Sequence, residues 1–307
     1  MQAVYSLYQA PPTHDFVNWL ARVNEERKLV AAPTVDITIV PGVRMFSDRD
    51  KYYTQARRTW RIENLLMPLA RLAPFVGNIT LGDGIQHLSY GNPGRVMAPI
   101  FRAPEHAKQI VEKCIPKNAV TITLRQSDFE PSRNTNLAEW VKVADWLVAE
   151  GYTPVFIPDA EADMRCDSEP TGHAEYLPAS HNFAMRLALW EHAKLNLMTN
   201  SGPMLLALHS DIPLLCFKLY VPQVKACQKP HLIASAFSPE HDWSTGAHRK
   251  QLYWEEDTAK NIIPILAERL NDKQWGKRAR FAPALPGCSK GDPAPTLSGV
   301  SGATANG

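Results

Sequence analysis

Apolar positions in the first third of the chain switch between two periods. Ala3-Val4-Tyr5-Ser6-Leu7-Tyr8 reads as a strand, and from Asp15 to Arg27 the residues Phe16, Trp19, Leu20 and Val23 recur at three- and four-residue steps, the mark of a one-faced helix. A second β run, Val35 to Val40, is stopped by Pro41-Gly42. Helical spacing returns from Arg57 to Leu72 through Trp60, Leu65, Leu66, Leu69 and Leu72, and a short strand from Asn78 to Leu81 ends at Gly82-Asp83-Gly84. This β-α-β-α-β alternation predicts a parallel sheet with crossover helices.

Between Gly91 and Pro116 prolines and glycines break the pattern around one short helix at Glu105 to Lys113, so a domain boundary is placed there. Beyond it the alternation resumes: strand Ala119 to Leu124, helix Leu137 to Ala149 with Leu137, Trp140, Val141, Ala144, Leu147 and Val148 as its apolar face, strand Pro154 to Ile157, helix Asn182 to Ala193, strand Leu195 to Met198, a helix opening at Pro203, and strand Leu214 to Phe217. A last helix, Thr258 to Leu270, contains Pro264 and is expected to bend or break there and to pack back across the sheets. The prediction is an α/β protein of two Rossmann-like domains with parallel sheets: 1–116, 117–282, and a flexible tail 283–307 made of Gly, Pro, Ser, Ala and Thr.

Composition narrows the partners. Of 307 residues, 33 are Lys or Arg and 31 Asp or Glu, a net charge of +2 that argues against a nucleic-acid partner. The five cysteines are odd in number and scattered without metal-ligand spacing, which predicts reduced thiols and a cytoplasmic setting. The N-terminus lacks the basic and apolar regions of a leader, and no run nears ~18 apolar residues; a soluble protein is expected, with peripheral membrane contact left open.

Ligands of open parallel sheets sit beyond the carboxyl ends of the strands, so the residues there are the ones that can carry chemistry. After Leu195 to Met198 comes Thr199-Asn200-Ser201-Gly202-Pro203-Met204, where a capping serine, a glycine and a proline at the first helical position suit either an anion site or an ordinary strand-to-helix turn. After Ala119 to Leu124 come Arg125, Ser127 and, further on, Arg133, whose cations and hydroxyl suit a diphosphate but also suit a solvated loop. Asp159, Arg186 and Glu191 are candidate contacts for a nucleoside, with surface ion pairing the plainer alternative for Arg186 and Glu191. In the first half, His14 and Asp15 follow the first strand, and either could take a proton from a hydroxyl if it faces a cleft, although an Asp there is more often a helix cap.

Several chemistries lose support. The loop Gln9 to Asp15 holds no glycine, which removes the dinucleotide fingerprint, so no nicotinamide or flavin cofactor is expected. Neither a triphosphate loop nor a Gly-x-Ser-x-Gly elbow is present. Asp48-Arg49-Asp50 fits an Asp-x-Asp metal pattern, yet its charged surroundings favour a solvated loop, and no metal is expected. Trp243, Tyr253 and Trp254, beside Arg249 and Lys250, are read as packing residues rather than stacking platforms for bases.

The stretch Leu197 to Leu215 resembles the heptosyltransferase-like GT-B glycosyltransferases, where a strand is followed by a Gly-Pro-Met turn, a short apolar helix and a strand led by a small residue and proline. The resemblance covers about residues 118 to 218; the first half matches in architecture only. It implies that Asn200, Ser201, Gly202, Pro203 and Met204 hold the diphosphate of a nucleotide-sugar, that Arg125 meets phosphate, and that Asp15 is the catalytic base. The family's acidic residue before Gly-Pro and histidine after it are replaced here by Asn200-Ser201 and Leu205-Leu206, and its glycine-rich first loop is missing. Leu124 to Asp128 also loosely resembles the Arg-rich loop of GDP-fucose-using fucosyltransferases, which leaves the donor open. The expected function is metal-independent glycosyl transfer from a nucleotide-sugar to a carbohydrate or other hydroxyl acceptor, in the family's setting of cell-envelope polysaccharide. The alternatives are a sugar-nucleotide epimerase or hydrolase and a non-catalytic binding or assembly protein.

Overall fold

In a computed structural model, which describes residues 1–42, 53–89, 97–166, 170–241, 243 and 246–272, the chain forms two parallel sheets. The Asp48-Arg49-Asp50 motif, Cys288 and the 283–307 segment lie outside the described residues.

The first sheet has the order β1 (Gln2–Ser6), β2 (Val35–Val40), β3 (Val76–Leu81). Helix α1 (Asp15–Leu29) crosses from β1 to β2, and Phe16, Trp19, Leu20 and Val23 are all fully buried, as their spacing predicts. Tyr5 of β1 meets Phe16 edge-on at 4.7 Å and Trp19 at 5.2 Å. The next helical stretch is split: α2 (Gln55–Arg61) runs into a π-helical segment, Ile62–Leu66, and continues as α3 (Met67–Leu72). Leu65, Leu66 and Leu69 are buried, whereas Trp60 is only half-buried because it faces a cleft.

The second sheet is built from β4 (Ala119–Thr123), β5 (Thr153–Ile157), β6 (Ala174–Glu175), β7 (Leu195–Thr199), β8 (Leu214–Phe217) and β9 (Lys250–Leu252), in the order β6-β5-β4-β7-β8-β9. Renumbered from β4, this is the doubly wound order 3-2-1-4-5-6, whose switch point lies between β4 and β7. The two outermost strands, β6 and β9, have two and three residues, too short for a periodic signal in the sequence.

Before that sheet comes α4 (Glu105–Cys114), and around it follow α5 (Leu137–Ala149), α6 (Ala160–Met164), α7 (Pro178–His181), α8 (Phe183–His192), α9 (Gly202–Leu208), α10 (Lys229–Ala234) and α11 (Ala259–Asn271). Helix α5 turns Trp140, Val143, Ala144 and Leu147 inward; Val141 and Val148, expected on that face, lie toward solvent, with Val148 52% exposed. Helix α11 runs unbroken through Pro264 and packs beside α5 on one face of the second sheet, so it neither breaks nor spans both sheets. Its Ile262 and Leu266 join Trp140, Phe156 and Phe217 in that layer.

The opposite face of the second sheet shares one continuous core with the first sheet. Helix α4, read from the sequence as part of the first half, packs against α8 of the second. Two buried links tie the halves: Nε2 of His209 lies 3.1 Å from Asn18 Oδ1, and the His209 carbonyl accepts from the backbone N–H groups of Ile100 and Phe101. Trp243 is fully buried and donates to the Ala236 carbonyl, and Tyr253 stacks on Phe217 at 4.9 Å, so both are packing residues. Among the described residues the four cysteines are free thiols, and no helix is long and apolar enough to cross a membrane.

Candidate functional site

A cavity of about 480 Å³ opens between the two sheets at the carboxyl ends of their strands. It gathers His14 and Asp15 from the first half with Arg125, Ser127, Arg133, Asp159, Arg186 and Asn200 to Met204 from the second. Every site residue expected from the sequence lines it except Glu191.

Glu191 belongs to the seam between helices. One carboxylate oxygen accepts from the Ala103 N–H at 2.6 Å and the other pairs with Lys108 of α4 at 2.8 Å. The ion-pair reading thus holds for Glu191, on a face of α8 turned away from the cleft.

The loop from Arg125 to Asn136 is wired to itself. Nη1 of Arg125 donates to the Glu130 carbonyl at 3.2 Å and to Asn134 Oδ1, while Nη2 donates to the Phe129 carbonyl at 2.5 Å. Asn134 closes the ring by accepting from Ser127 N at 3.0 Å and donating to the Ser127 carbonyl at 3.0 Å. Arg125 is 6% exposed, and burial together with Arg133 lowers its pKa to about 10. Its donors organise the loop, and its side chain also lines the cavity. Ser127 Oγ accepts from Phe129 N and stabilises the same turn.

Arg133 is the cation this loop delivers. Its Nη2 donates to the carbonyl and the Oδ1 of Asn200, each at 3.2 Å, and its Nη1 pairs with Glu130 at 2.8 Å. Asn200 also donates to the Leu219 carbonyl and to Cys227 Sγ, which fixes the turn that begins α9. At the next position Ser201 is 4% exposed, and its hydroxyl has no hydrogen-bond partner among the described residues. A buried hydroxyl without a partner costs free energy.

Gly202 has a steric role. A Cβ there would stand 2.9 Å from Cγ of the His14 ring, so only glycine lets this imidazole rest against the turn. Phe183 also meets the His14 ring edge-on, with ring centres 5.9 Å apart. Asp15, the first residue of α1, accepts from Thr13 Oγ1 at 2.6 Å.

On the β5 side, Asp159 caps α6 by accepting from Glu161 N at 2.9 Å and takes Gln126 N at 3.2 Å on its other oxygen. Arg186 is 3% exposed and donates to the carbonyls of Ala179 at 2.6 Å and Ser180 at 3.4 Å. Burial lowers its pKa to about 10, against the pull of nearby Asp159. His181, beside them at the rim, lies 2.6 Å from Asp163.

No family model matches the sequence, and no curated protein matches it. The solved structures that resemble the chain include the following three. The glycosyl transferase family 9 protein from Veillonella parvula is 14% identical, with a TM-score of 0.43 over 87% of this chain and 90% of that one. E. coli heptosyltransferase WaaC with ADP is 13% identical, with a TM-score of 0.45 over 87% and 99%. E. coli ADP-heptose lps heptosyltransferase II is 12% identical, with a TM-score of 0.40 over 81% and 79%.

Sequence reasoning missed part of the wall. Trp60, Arg61, Asn64 and Leu65 project from α2 and the π-helical segment, and Glu161, Phe183 and Phe237 line the second half. Arg57 and Arg61 stand four residues apart, so one helical face carries two cations; that spacing was the available signal.

Proposed function

We propose that the protein transfers a glycosyl group from a nucleotide-sugar to a hydroxyl acceptor. The reading rests on one juxtaposition: an ionisable pair from one half, His14 and Asp15, shares a cavity with an anion-ready wall from the other, Arg133, Ser201 and the glycine turn. In this reading residues 1–116 form the acceptor side and 117–282 the donor side, with Asp159 and Arg186 at the nucleoside. The acceptor is a glycan or other hydroxyl compound, and the setting of the reaction is the cytoplasm, on material of the cell envelope.

In the transfer step the acceptor oxygen attacks the anomeric carbon, the bond from that carbon to the diphosphate oxygen breaks, and the acceptor proton passes to the Asp15 carboxylate. Negative charge grows on the departing diphosphate. Arg133, held by Glu130 and Asn200, and the Ser201 hydroxyl are set to meet it before the reaction starts. Arg133 and the Ser201 hydroxyl thereby supply the charge stabilisation, so the proposed reaction is metal-independent, with the nucleotide-sugar as co-substrate and no further cofactor.

Thermal-shift titration with ADP, UDP, GDP and CMP tests the donor wall. Stabilisation by at least one of them is expected, and a flat response to all four would overturn the donor assignment. Product analysis of the matching nucleotide-sugar with and without sugar acceptors then tests transfer. Turnover that needs no acceptor and yields an isomerised or hydrolysed donor would point to the epimerase or hydrolase alternative.

A further inference from the structure

One ion-pair cluster in the cavity wall crosses the cleft, apart from Arg133, Ser201 and the His14–Asp15 pair. From the first turn of α6 the Glu161 carboxylate reaches the first half, where one oxygen meets Arg57 Nη2 at 2.6 Å and the other meets Arg61 Nη2. The Glu161 and Arg61 side chains are 15% and 13% exposed. Burial pushes the Glu161 carboxyl up, but Arg61 and Arg57 hold it below the usual carboxylate range. A carboxylate neutralised by two guanidinium groups is a poor base, so proton transfer is not its work.

Its effect passes through Arg61. Nη1 of that residue donates to the Pro12 carbonyl at 3.2 Å, and its guanidinium lies 4.7 Å from the centre of the Tyr53 ring. One residue earlier, the Pro11 carbonyl accepts from Tyr5 Oη at 2.7 Å. Two successive carbonyls of the loop that ends in His14 and Asp15 are thus pinned, Pro11 from within the first half and Pro12 by an arginine anchored in the second. We propose that Glu161 is a positioning residue: through Arg61 it fixes the Pro12 carbonyl and so sets where His14 and Asp15 stand over the Asn200 to Met204 turn. The inference rests on the transferase reading for its consequence in turnover, and on the contacts alone for its consequence in loop order.

The test uses the full chain with Glu161→Gln, Glu161→Asp and Arg61→Lys. Calorimetry with ADP, UDP and GDP reads donor-site affinity, and turnover is measured on the nucleotide-sugar whose diphosphate binds most tightly. Hydrogen exchange reads the amides of Thr13, Phe16 and Val17, which are bonded to the carbonyls of Pro11, Thr13 and His14. In Glu161→Gln the nucleotide affinity should stay within about twofold and kcat should fall about tenfold at unchanged donor KM, because a displaced catalytic group slows the chemical step without loosening the donor. Exchange at the three amides should quicken about tenfold while that of β4 and β7 stays slow. Glu161→Asp should recover part of both effects, and Arg61→Lys, which cannot bridge two acceptors in the same plane, should match Glu161→Gln.

Unchanged exchange and kcat in Glu161→Gln would overturn the proposal, as would a loss confined to donor affinity or an acceleration of exchange spread evenly over the chain. If none of the three nucleotides binds the wild-type protein, the donor-site reading fails, and the exchange data still decide whether Glu161 orders the loop.

Discussion

His14 rests against the backbone of Gly202, close enough that a methyl group on Gly202 would overlap the imidazole. The two residues are far apart in sequence and come from different halves of the chain, so this contact brings the loop of His14 and Asp15 over the turn at the switch point. Gly202→Ala should push His14 away and reduce catalytic turnover by at least tenfold, with a loss of stability of about 1–3 kcal/mol from overpacking. Turnover measured beside a urea midpoint separates the two effects, and equal turnover in the variant would remove this contact from the mechanism.

Arg125 and Arg133 should behave differently on truncation. Arg125→Met removes the hub of its loop and leaves the carbonyls of Phe129 and Glu130 without that donor, so it should lower stability by about 1–3 kcal/mol as well as weaken binding. Arg133→Met should lower nucleoside-diphosphate affinity by tenfold or more at little cost in stability. Thermal melts with and without the best-binding nucleotide distinguish them.

Ser201 allows a test that separates ligand use from folding. Since its hydroxyl has no partner among the described residues, Ser201→Ala should leave the ligand-free melting temperature unchanged or raise it slightly. The same variant should bind the nucleoside diphosphate several-fold more weakly. A destabilised ligand-free protein would show that the hydroxyl serves the fold.

His209 predicts a pH dependence of stability. Burial, with Lys250 nearby, lowers its pKa from the ordinary 6.5 to about 3. Above pH 6.5 it is neutral in both folded and unfolded chains and favours neither. Between pH 6.5 and about 3 the unfolded chain takes up a proton that the folded chain refuses, so this one residue lowers stability by up to about 1.4 kcal/mol per pH unit as pH falls. His209→Gln should flatten that part of the urea-midpoint profile between pH 6.5 and 5, whatever its effect at pH 8.

How much of this was legible in the sequence depended on range. Helix α1 was readable because its core contacts repeat at its own period, β2 because buried apolar positions alternate with Asp36 and Thr38, and β8 because it is a bounded run of apolar residues. The face of α5 was misjudged at Val141 and Val148 because spacing gives an apolar stripe but not the rotation that the α11 and sheet contacts select.

The sequence by itself determined the alternating elements, the parallel class of both sheets and the short list of polar residues at strand ends. Those are local properties, set by hydrophobic period and turn chemistry. Tertiary structure decided which of those residues share a space. It turned Arg125 inward and Arg133 toward Asn200, placed Glu191 in a helix seam, set His14 on Gly202, and joined Glu161 to Arg57 and Arg61 across the cleft. Each of these outcomes depends on distances between groups remote along the chain, and the packing of the two sheets fixes them.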